Sequence, residues 1–383
     1  MSKLLYLDNA ATTKVFPEVK DLVVKLMEED YGNPSSLHQK GLDAGHYIKE
    51  TKEILAKEWK VDSKEIVLTS GGTESNNLAL IGAALANKRS GNRIITTKVE
   101  HASVSSTMAF LESLGFEIIY LNVDHHGIVD LEQLEQEVNE DTILVSVMYV
   151  NNEIGTVEPI QEIAEIIKEK NPKTLFHVDA IQAFGKYHIY PKRMGIDLMS
   201  VSGHKIHGPK GTGALFIKNR TKVKPIIYGG GQQGGMRSGT ENVPGFAGLG
   251  LATKMVYEDL EARTVRMRAV KDRLTERLKT LPDVYINEGE APHILSVSFV
   301  GVRSEVMLHA LEEREIYVSS GSACSSNKPA VSHVLASIGL PKDRLESTIR
   351  FSFSAENTVE QADYAADVIE EILPVYRKYV RKK

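Results

Sequence analysis

Three short segments place polar residues that could do chemistry at the ends of apolar runs. The segment VLTSGGTESNN (67–77) ends such a run with two glycines, and a helical pattern begins near Gly72 and Thr73. Glycines let backbone N–H groups approach an anion, and a helix start offers unpaired donors at its positive dipole end. The segment therefore suggests a phosphate cradle, although the same residues are also typical of an ordinary strand-to-helix turn.

The segment TLFHVDAIQA (174–183) delivers an acid to the end of an apolar run. A carboxylate buried at Asp179 is costly unless it meets a cation, and a pyridinium N–H is such a cation. Gln182 is close enough in sequence to reach the same ligand. In isolation, a cap for the following helix is an equally good interpretation of Asp179.

A third segment, DLMSVSGHKIHGPKGTG (197–213), presents Ser202, His204 and Lys205 in a glycine-bounded turn. A partly desolvated lysine near other cations loses its proton readily and can form a Schiff base, whereas an exposed loop lysine does not. His204 and His207 are also metal-ligand types. Because no Asp or Cys nearby completes a set, we predict no metal site.

The combination of the three segments is far more specific than any one of them. A phosphate cradle, an acid for a pyridinium and a lysine, each at the end of a strand, are what a protein contributes to pyridoxal 5'-phosphate (PLP) chemistry. The sequence therefore predicts a PLP site.

The chain has a single cysteine, Cys324, which excludes an intramolecular disulfide and an all-thiolate metal site. A lone cysteine is usually a small buried hydrophobe. Here the surrounding segment SSGSACSSNKPA (319–330) is almost entirely small or polar. Such a segment is typical of an exposed, mobile loop and not of the apolar pocket around an inert thiol, so we predict that Cys324 is reactive.

Alternating strand and helix patterns must position these segments. β-branched runs at 66–69, 93–97, 117–121, 143–149, 174–178, 198–202 and 214–217 alternate with helical patterns at 74–88, 101–114, 131–138 and 160–170. This alternation predicts an α/β fold with a mostly parallel sheet between helices, which binds ligands at the carboxyl ends of its strands.

The rest of the chain has an α+β pattern. One long helical stretch at 244–281 precedes strand patterns at 294–300 and 348–354 and a last helix that Thr358 and Gln361 open as a capping box. We therefore expect a large domain over 15–258. A smaller α+β domain over 1–14 and 259–383 carries the cysteine loop.

The composition is that of an ordinary globular protein. The 383 residues are 42% hydrophobic and 25% charged, with a formal net charge of −5, which indicates neither a nucleic-acid partner nor a membrane surface. No window reaches the ~20 apolar residues of a membrane span, and the apolar run before Asp8 is too short for a signal peptide. We expect a cytoplasmic enzyme.

The chain resembles the cysteine desulfurases of the NifS/IscS type, within the aspartate-aminotransferase-like PLP enzymes of fold type I. The similarity runs nearly end to end. It rests mainly on the lysine turn SGHKIHGPKG (202–211) and the cysteine loop SSGSACS (319–325), with support from YLDNAATT (6–13), GNPSS (32–36), TSGGTES (69–75), EH (100–101), VNNEIGT (150–156), HVDAIQ (177–182), RSGTEN (237–242) and IRFS (349–352).

The resemblance implies a role for each matching residue. Lys205 forms the imine and moves the substrate proton, and Arg350 binds the substrate carboxylate with its planar fork. The cofactor contacts are Asp179 at the pyridinium, His101 stacked on the ring, Asn152 and Gln182 near the ring hydroxyl, and Gly72, Thr73, Ser202 and His204 around the phosphate. Thr240 reaches the phosphate of the neighbouring subunit, which implies a homodimer.

The resemblance also implies the reaction. Cys324 attacks the sulfur of bound L-cysteine, L-alanine leaves, and the thiol carries a persulfide to an acceptor in iron-sulfur cluster assembly or tRNA thiolation. Alternatives of the same fold are a selenocysteine lyase and an aminotransferase. One departure stands out: the family commonly has Gln-Glu-Arg-Gly after its triple glycine, where this chain has Gln232-Gln233-Gly234-Gly235.

Overall fold

The computed structural model describes residues 4–320 and 332–378, and Cys324 lies outside them. The described residues form thirteen strands and twelve helices. The strands are β1 (Leu5–Tyr6), β2 (Ile66–Thr69), β3 (Arg93–Thr97), β4 (Glu117–Leu121), β5 (Thr142–Met148), β6 (Leu175–Asp179), β7 (Leu198–Ser202), β8 (Gly213–Ile217), β9 (Val284–Asn287), β10 (Ile294–Phe299), β11 (Ile316–Tyr317), β12 (Ser319–Ser320) and β13 (Thr348–Ser352). The helices are α1 (Pro17–Glu28), α2 (Gln39–Trp59), α3 (Gly72–Asn87), α4 (Ala102–Ser113), α5 (Leu131–Glu137), α6 (Ile160–Lys170), α7 (Val243–Glu258), α8 (Leu260–Leu278), α9 (Ser304–Glu312), α10 (His333–Ser337), α11 (Lys342–Leu345) and α12 (Val359–Arg377).

Within the described ranges, β2 to β8 form one sheet in the order β2-β8-β7-β6-β5-β3-β4. The pairs from β7 to β4 are parallel, and β8 is antiparallel to both of its neighbours. Strand β2 therefore runs in the same direction as β7. The carboxyl ends of β2, β3, β5, β6 and β7 lie at one edge, and the predicted α/β fold with a mostly parallel sheet is confirmed.

Burial explains why these segments form strands and helices. Every residue of β5 is buried, as expected for a strand covered by helices on both faces. Helix α6 instead buries one stripe, made by Ile160, Ile163, Ala164 and Ile167. This spacing matches the helical period and turns the charged residues of α6 toward solvent.

A second, antiparallel sheet has the order β12-β13-β10-β9. Its apolar core includes Leu5, Leu7, Phe299 and Phe351 together with residues of α8 and α12. In this sheet β13 holds Arg350 opposite Ser296 of β10 and Ser319 of β12. The smaller sheet thus carries Arg350 and leads into the cysteine segment.

The expectation of one long helix over 244–281 is wrong. Helix α7 ends at Glu258 and α8 begins at Leu260, because Asp259 has non-helical angles (φ −133°, ψ 32°). The capping box at Thr358 and Gln361 is confirmed. No helix in 4–320 or 332–378 is long and apolar enough to cross a membrane.

Candidate active site

A cavity of about 270 Å³ opens at the carboxyl edge of the large sheet. Ten of the expected site residues line it: Gly72, Thr73, His101, Asn152, Asp179, Gln182, Ser202, His204, Lys205 and Arg350. Thr240 is exposed and does not line this cavity. The fold therefore brings together residues that are as much as 278 positions apart, from Gly72 to Arg350 (350 − 72).

The glycine turn after β2 has the properties of an anion cradle. Gly71 has φ +148°, a conformation that favours glycine, and α3 begins at the next residue. A Cβ on Gly72 would lie 2.1 Å from Cδ1 of Ile181, so the helix start packs directly against the segment after Asp179. Across the turn, the buried Ser202 Oγ has no partner among the described residues. A phosphate fits this set of donors.

His204 is neutral at pH 7 in this environment. Burial is the main cause that lowers its pKa to about 4, and the charges of Lys205, Lys210 and Lys186 add to it. Its Nδ1 lies 3.2 Å from Oγ1 of Thr12. The imidazole can therefore hydrogen-bond to an anion without adding a charge of its own.

Asp179 ends β6 with its carboxylate buried in the cavity wall. The backbone N–H of Ile181 donates to Oδ1 (3.0 Å), and Nδ2 of Asn76 donates to Oδ2 (2.8 Å). Burial raises the pKa of Asp179, and these hydrogen bonds, together with the charges of His101 and Lys205, oppose that rise. Both hydrogen bonds come from neutral donors, so the carboxylate suits a ligand that brings a cationic N–H.

His101 caps the start of α4 and faces the same cavity. The backbone N–H of Ser103 donates to its Nδ1 (3.1 Å). Burial lowers the pKa of His101, which favours the neutral imidazole. Behind it, burial raises the pKa of Glu100 well above the ordinary range, with a further contribution from Asp179.

Lys205 ends the short 3₁₀ turn that follows β7. Its Nζ donates to the carbonyl oxygens of Ala10 and Ala11, the latter at 2.8 Å. The carbonyl of Lys205 itself accepts a hydrogen bond from Nζ of Lys186 (2.7 Å). Burial lowers the pKa of Lys186 to about 7, helped by the charges of Lys205 and Arg263. The turn thus places Lys205 in the cation-rich, partly desolvated setting that its sequence suggested.

Arg350 enters the cavity from the smaller sheet. Its Nη2 pairs with Asp8 at 2.8 Å, in a pair whose side chains are only 8% and 19% exposed. Its Nη1 donates to the carbonyl oxygen of Asn152 (2.8 Å), whereas the buried Nε has no partner among the described residues. The guanidinium is therefore held in one orientation at the rim of the cavity.

Gln182 connects the amino-terminal segment to the cavity wall. Its Nε2 donates to the carbonyl oxygen of Ala10 (3.0 Å), the same oxygen that Lys205 contacts. Its Oε1 lies 3.4 Å from Nε2 of His293. Gln182 and Lys205 thus donate to the same carbonyl oxygen, that of Ala10.

The departure from the family pattern at 232–235 forms a tight turn beside β2. Gln233, Gly234 and Gly235 all have positive φ, at 51°, 65° and 81°. Oε1 of Gln233 accepts the backbone N–H of Leu68 (3.0 Å), and its Nε2 donates to Glu241. Strand β2 is an edge strand of the large sheet, and Gln233 accepts a hydrogen bond from one of its backbone N–H groups.

Sequence reasoning missed three polar residues around the site: Asp8, Asn76 and Ser103. Asp8 had no detectable signal, because its partner Arg350 is 342 positions away. Asn76 lies one helical turn after Gly72 and Thr73, so its spacing placed it on the same face of α3. Ser103 is in the first turn of α4, two residues after His101.

Comparisons with known proteins show the family of the chain. A family model described as aminotransferase class-V matches residues 5–364. The chain belongs to this family. It is 41% identical over 396 residues to "Cysteine desulfurase IscS" of Clostridium botulinum, which covers 100% of this chain and 99% of the relative. A relative with the same name from Dictyoglomus turgidum is 42% identical over 381 residues, which is 98% of this chain and 96% of the relative.

A solved structure titled "NIFS-LIKE PROTEIN" superimposes on this class-V chain with a TM-score of 0.92 at 38% identity. The superposition covers 97% of this chain and 99% of that one. The predicted α/β fold of type I, with a mostly parallel sheet between helices and a smaller α+β part, is therefore confirmed.

Proposed function

We propose that this protein is a PLP-dependent cysteine desulfurase that converts L-cysteine to L-alanine and carries the sulfur as a persulfide on Cys324. The observation that carries the proposal is the meeting of Lys205, Asp179 and Arg350 around one cavity. These residues are an amine, a buried acid and a carboxylate-binding fork. Full-length relatives named cysteine desulfurase support the choice of reaction.

The cavity has suitable residues for each part of PLP. Gly72, Thr73, Ser202 and His204 would hold the phosphate, and Asp179 would pair with the ring nitrogen. His101 would lie against the ring, with Asn152 and Gln182 near its hydroxyl. When bound, PLP supplies an electron sink that weakens the bonds at the α-carbon of an amino acid.

We assign substrate binding, proton transfer and sulfur transfer to residues of the chain itself. Arg350 binds the carboxylate of cysteine and fixes the orientation of its α-carbon. The amine of Lys205, anchored at the carbonyls of Ala10 and Ala11, would accept the α-proton of the bound cysteine. The thiolate of Cys324 then forms a bond to the substrate sulfur as the carbon–sulfur bond breaks, and the electron pair of that bond stays on the β-carbon, which takes up a proton. Alanine leaves, and the sulfur remains on Cys324.

The two alternatives of the same fold are not favoured. Relatives from Clostridium botulinum and Dictyoglomus turgidum that match 98% or more of the chain are named cysteine desulfurases. An aminotransferase also has no use for a thiol in a small, polar loop. A desulfurase, in contrast, needs a thiol such as Cys324 to carry the persulfide.

A homodimer is part of the proposal. Thr240 is exposed and lies outside the cavity of its own chain, as a residue that serves a second chain would. The region from α1 to α2 also exposes large apolar side chains, among them Tyr31 (72%) and Leu37 (96%). Apolar exposure of this kind is typical of a protein interface.

The sulfur has to leave the enzyme by transfer to another molecule. We propose an acceptor protein of iron-sulfur cluster assembly or tRNA thiolation that takes the sulfur from Cys324. We also propose that the enzyme works in the cytoplasm, because a thiol that cycles through a persulfide needs a reducing compartment.

The test uses the full chain reconstituted with PLP. Borohydride reduction followed by peptide mapping should place the pyridoxyl group on Lys205, and the enzyme should release alanine from L-cysteine. Lys205→Ala should abolish both, while Lys210→Ala, a change at an exposed lysine of the same turn, should preserve both. Labelling of a different lysine, or turnover by Lys205→Ala, would contradict the proposal.

A further inference from the structure

Asn76 is a fully buried polar residue in the second turn of α3. Its Nδ2 donates two hydrogen bonds, one to Oδ2 of Asp179 and one to Oγ of Ser103, both at 2.8 Å. Asp179 ends β6, and Ser103 lies in the first turn of α4. One amide group therefore links three separate elements behind the cavity.

The orientation of this amide depends on the charge of Asp179. An amide nitrogen carries two hydrogens, and here both are used, while Oδ1 is buried with no partner in the described part of the chain. Rotating the amide by half a turn would put Oδ1 against the oxygen of Asp179. Two acceptors can face each other in this way only if Asp179 is protonated. In the observed orientation both oxygens of Asp179 accept a hydrogen bond, from Asn76 and from the Ile181 N–H, and this favours the carboxylate form of Asp179.

The second hydrogen bond extends the link to His101. Because Oγ of Ser103 accepts from Asn76, its own hydrogen is free to point elsewhere, and His101 Nδ1 lies 2.9 Å away. The backbone N–H of Ser103 also donates to Nδ1 (3.1 Å). With donors aimed at Nδ1, neutral His101 carries its hydrogen on Nε2.

We propose that Asn76 is a positioning residue that joins Asp179 to the Ser103–His101 pair and keeps the proton between Asp179 and the cofactor on the ring nitrogen. The inference rests on the proposed function, since it assumes that PLP binds in this cavity. With PLP bound, a single proton would lie between an Asp179 oxygen and the ring nitrogen. A donor that stabilises the carboxylate leaves this proton on the nitrogen, where it strengthens the electron sink.

The effects on the pKa of Asp179 support this role for Asn76. Burial is the largest effect on Asp179 and raises its pKa, which favours moving the proton onto the carboxylate. The hydrogen bond from Asn76 opposes this rise, together with the Ile181 N–H and the charges of His101 and Lys205. Asn76 is the side-chain hydrogen-bond donor in that group, and it has no direct contact with the cavity.

The test compares the wild type with Asn76→Leu, which keeps much of the volume but has no donor. Each protein is reconstituted with PLP that carries ¹⁵N in the ring, and the ¹⁵N resonance reports whether the ring is protonated. Wild type should show a protonated ring. Asn76→Leu should move the resonance toward the unprotonated position and raise the dissociation constant of PLP by roughly tenfold or more.

The matched control is Asn87→Ala on the same helix. Asn87 also donates two hydrogen bonds from one amide, to carbonyl oxygens of Ala83 and Lys222, far from the cavity. This variant should keep the wild-type resonance. Asn76→Ala replaces the leucine variant if the larger side chain prevents folding.

The outcomes separate the inference from the proposed function. If the wild type binds no PLP, the proposed function is wrong. If it binds PLP but the ring nitrogen is unprotonated, or if Asn76→Leu or Asn76→Ala keeps the wild-type resonance and affinity, Asn76 does not have this role and the proposed function stands.

Discussion

Single polar contacts decide how the site is set up for chemistry. His204 and His101 are held neutral by burial, while Asp179 receives hydrogen bonds that favour its ionised form. Arg350 is fixed by Asp8 and by the carbonyl of Asn152 before any substrate arrives. Because these groups are already oriented, little reorganisation is left for the moment of reaction.

Arg350 gives the first prediction at this scale. Arg350→Ala removes the fork that we propose for the substrate carboxylate, and each hydrogen bond to a charged group is worth about 1.5–3 kcal/mol. We expect KM for L-cysteine to rise roughly tenfold or more. The absorbance spectrum of bound PLP should not change, because Arg350 lies at the substrate side of the cavity.

Arg314→Ala is the control, since it breaks an exposed pair with Glu371 (2.6 Å) in the smaller sheet region. It should leave KM unchanged. Steady-state kinetics over a range of cysteine concentrations make the comparison. A normal KM for Arg350→Ala would move the carboxylate site to another residue.

At the level of elements, the sequence predicted the strands and helices that have a clear apolar periodicity. The strands of the large sheet were placed to within a residue of their bounds because each is a short, buried, β-branched run. Helices α1 and α2 were missed. Helix α2 buries Gly41, Ala44 and Thr51 among its contacts, so small and polar residues weaken the apolar stripe that would reveal it.

Contacts between distant segments were beyond the reach of sequence reasoning. Motifs and the family resemblance identified the residues that line the cavity, but not Asp8 or Asn76, which act through other side chains. The break at Asp259 was also missed, because the apolar pattern continues from α7 into α8. Only tertiary packing, with α7 on α1 and α2 and α8 on α12, separates the two helices.

Glu158 supplies a prediction about the loop between β5 and α6. Its Oε2 accepts the backbone N–H of Val129 (3.0 Å), and burial raises its pKa from 4.5 to about 8. A carboxyl group with a raised folded pKa contributes stability that is fully present below pH 4.5 and is lost as pH rises through about 8. At pH 7 the loss is on the order of 3 kcal/mol.

Glu158→Gln keeps an acceptor for Val129 and cannot titrate. We therefore expect the variant to gain stability relative to the wild type as the pH is raised from 4.5 to 8, in denaturant unfolding followed at several pH values. Glu162→Gln changes an exposed carboxyl at the start of α6 and should show no such gain. A constant difference between Glu158→Gln and wild type over this range would rule out the titration.

At the scale of the molecule, we propose a large domain over 15–258 and a smaller one made of 1–14 and 259–383. Separate apolar clusters support this division: one is centred on the large sheet, and another contains Leu5, Leu7 and the side chains around β10 and β13. The cavity lies where Arg350 of the smaller sheet meets the edge of the large one. Strand β12, which ends at Ser320 shortly before Cys324 in the sequence, pairs with β13 opposite Arg350.

A homodimer is the prediction at this scale. Sedimentation at low protein concentration should give the mass of two chains, and Thr240→Ala should weaken PLP binding although Thr240 lies outside its own cavity. Thr280→Ala, at an exposed threonine of the smaller domain, should not weaken it. A stable monomer with full PLP affinity would contradict the shared site.

The central claim is that sulfur from cysteine passes through Cys324, and one mass measurement tests it most directly. Because Cys324 is the only cysteine, a cysteine persulfide can form at no other position. After treatment of the PLP-loaded wild type with L-cysteine, the peptide with Cys324 should gain the mass of one sulfur atom. Cys324→Ser should gain none and release little alanine, because a serine hydroxyl is a poor nucleophile and is not ionised at neutral pH. An unmodified Cys324 peptide during turnover, or a serine variant that releases alanine at the wild-type rate, would contradict the account.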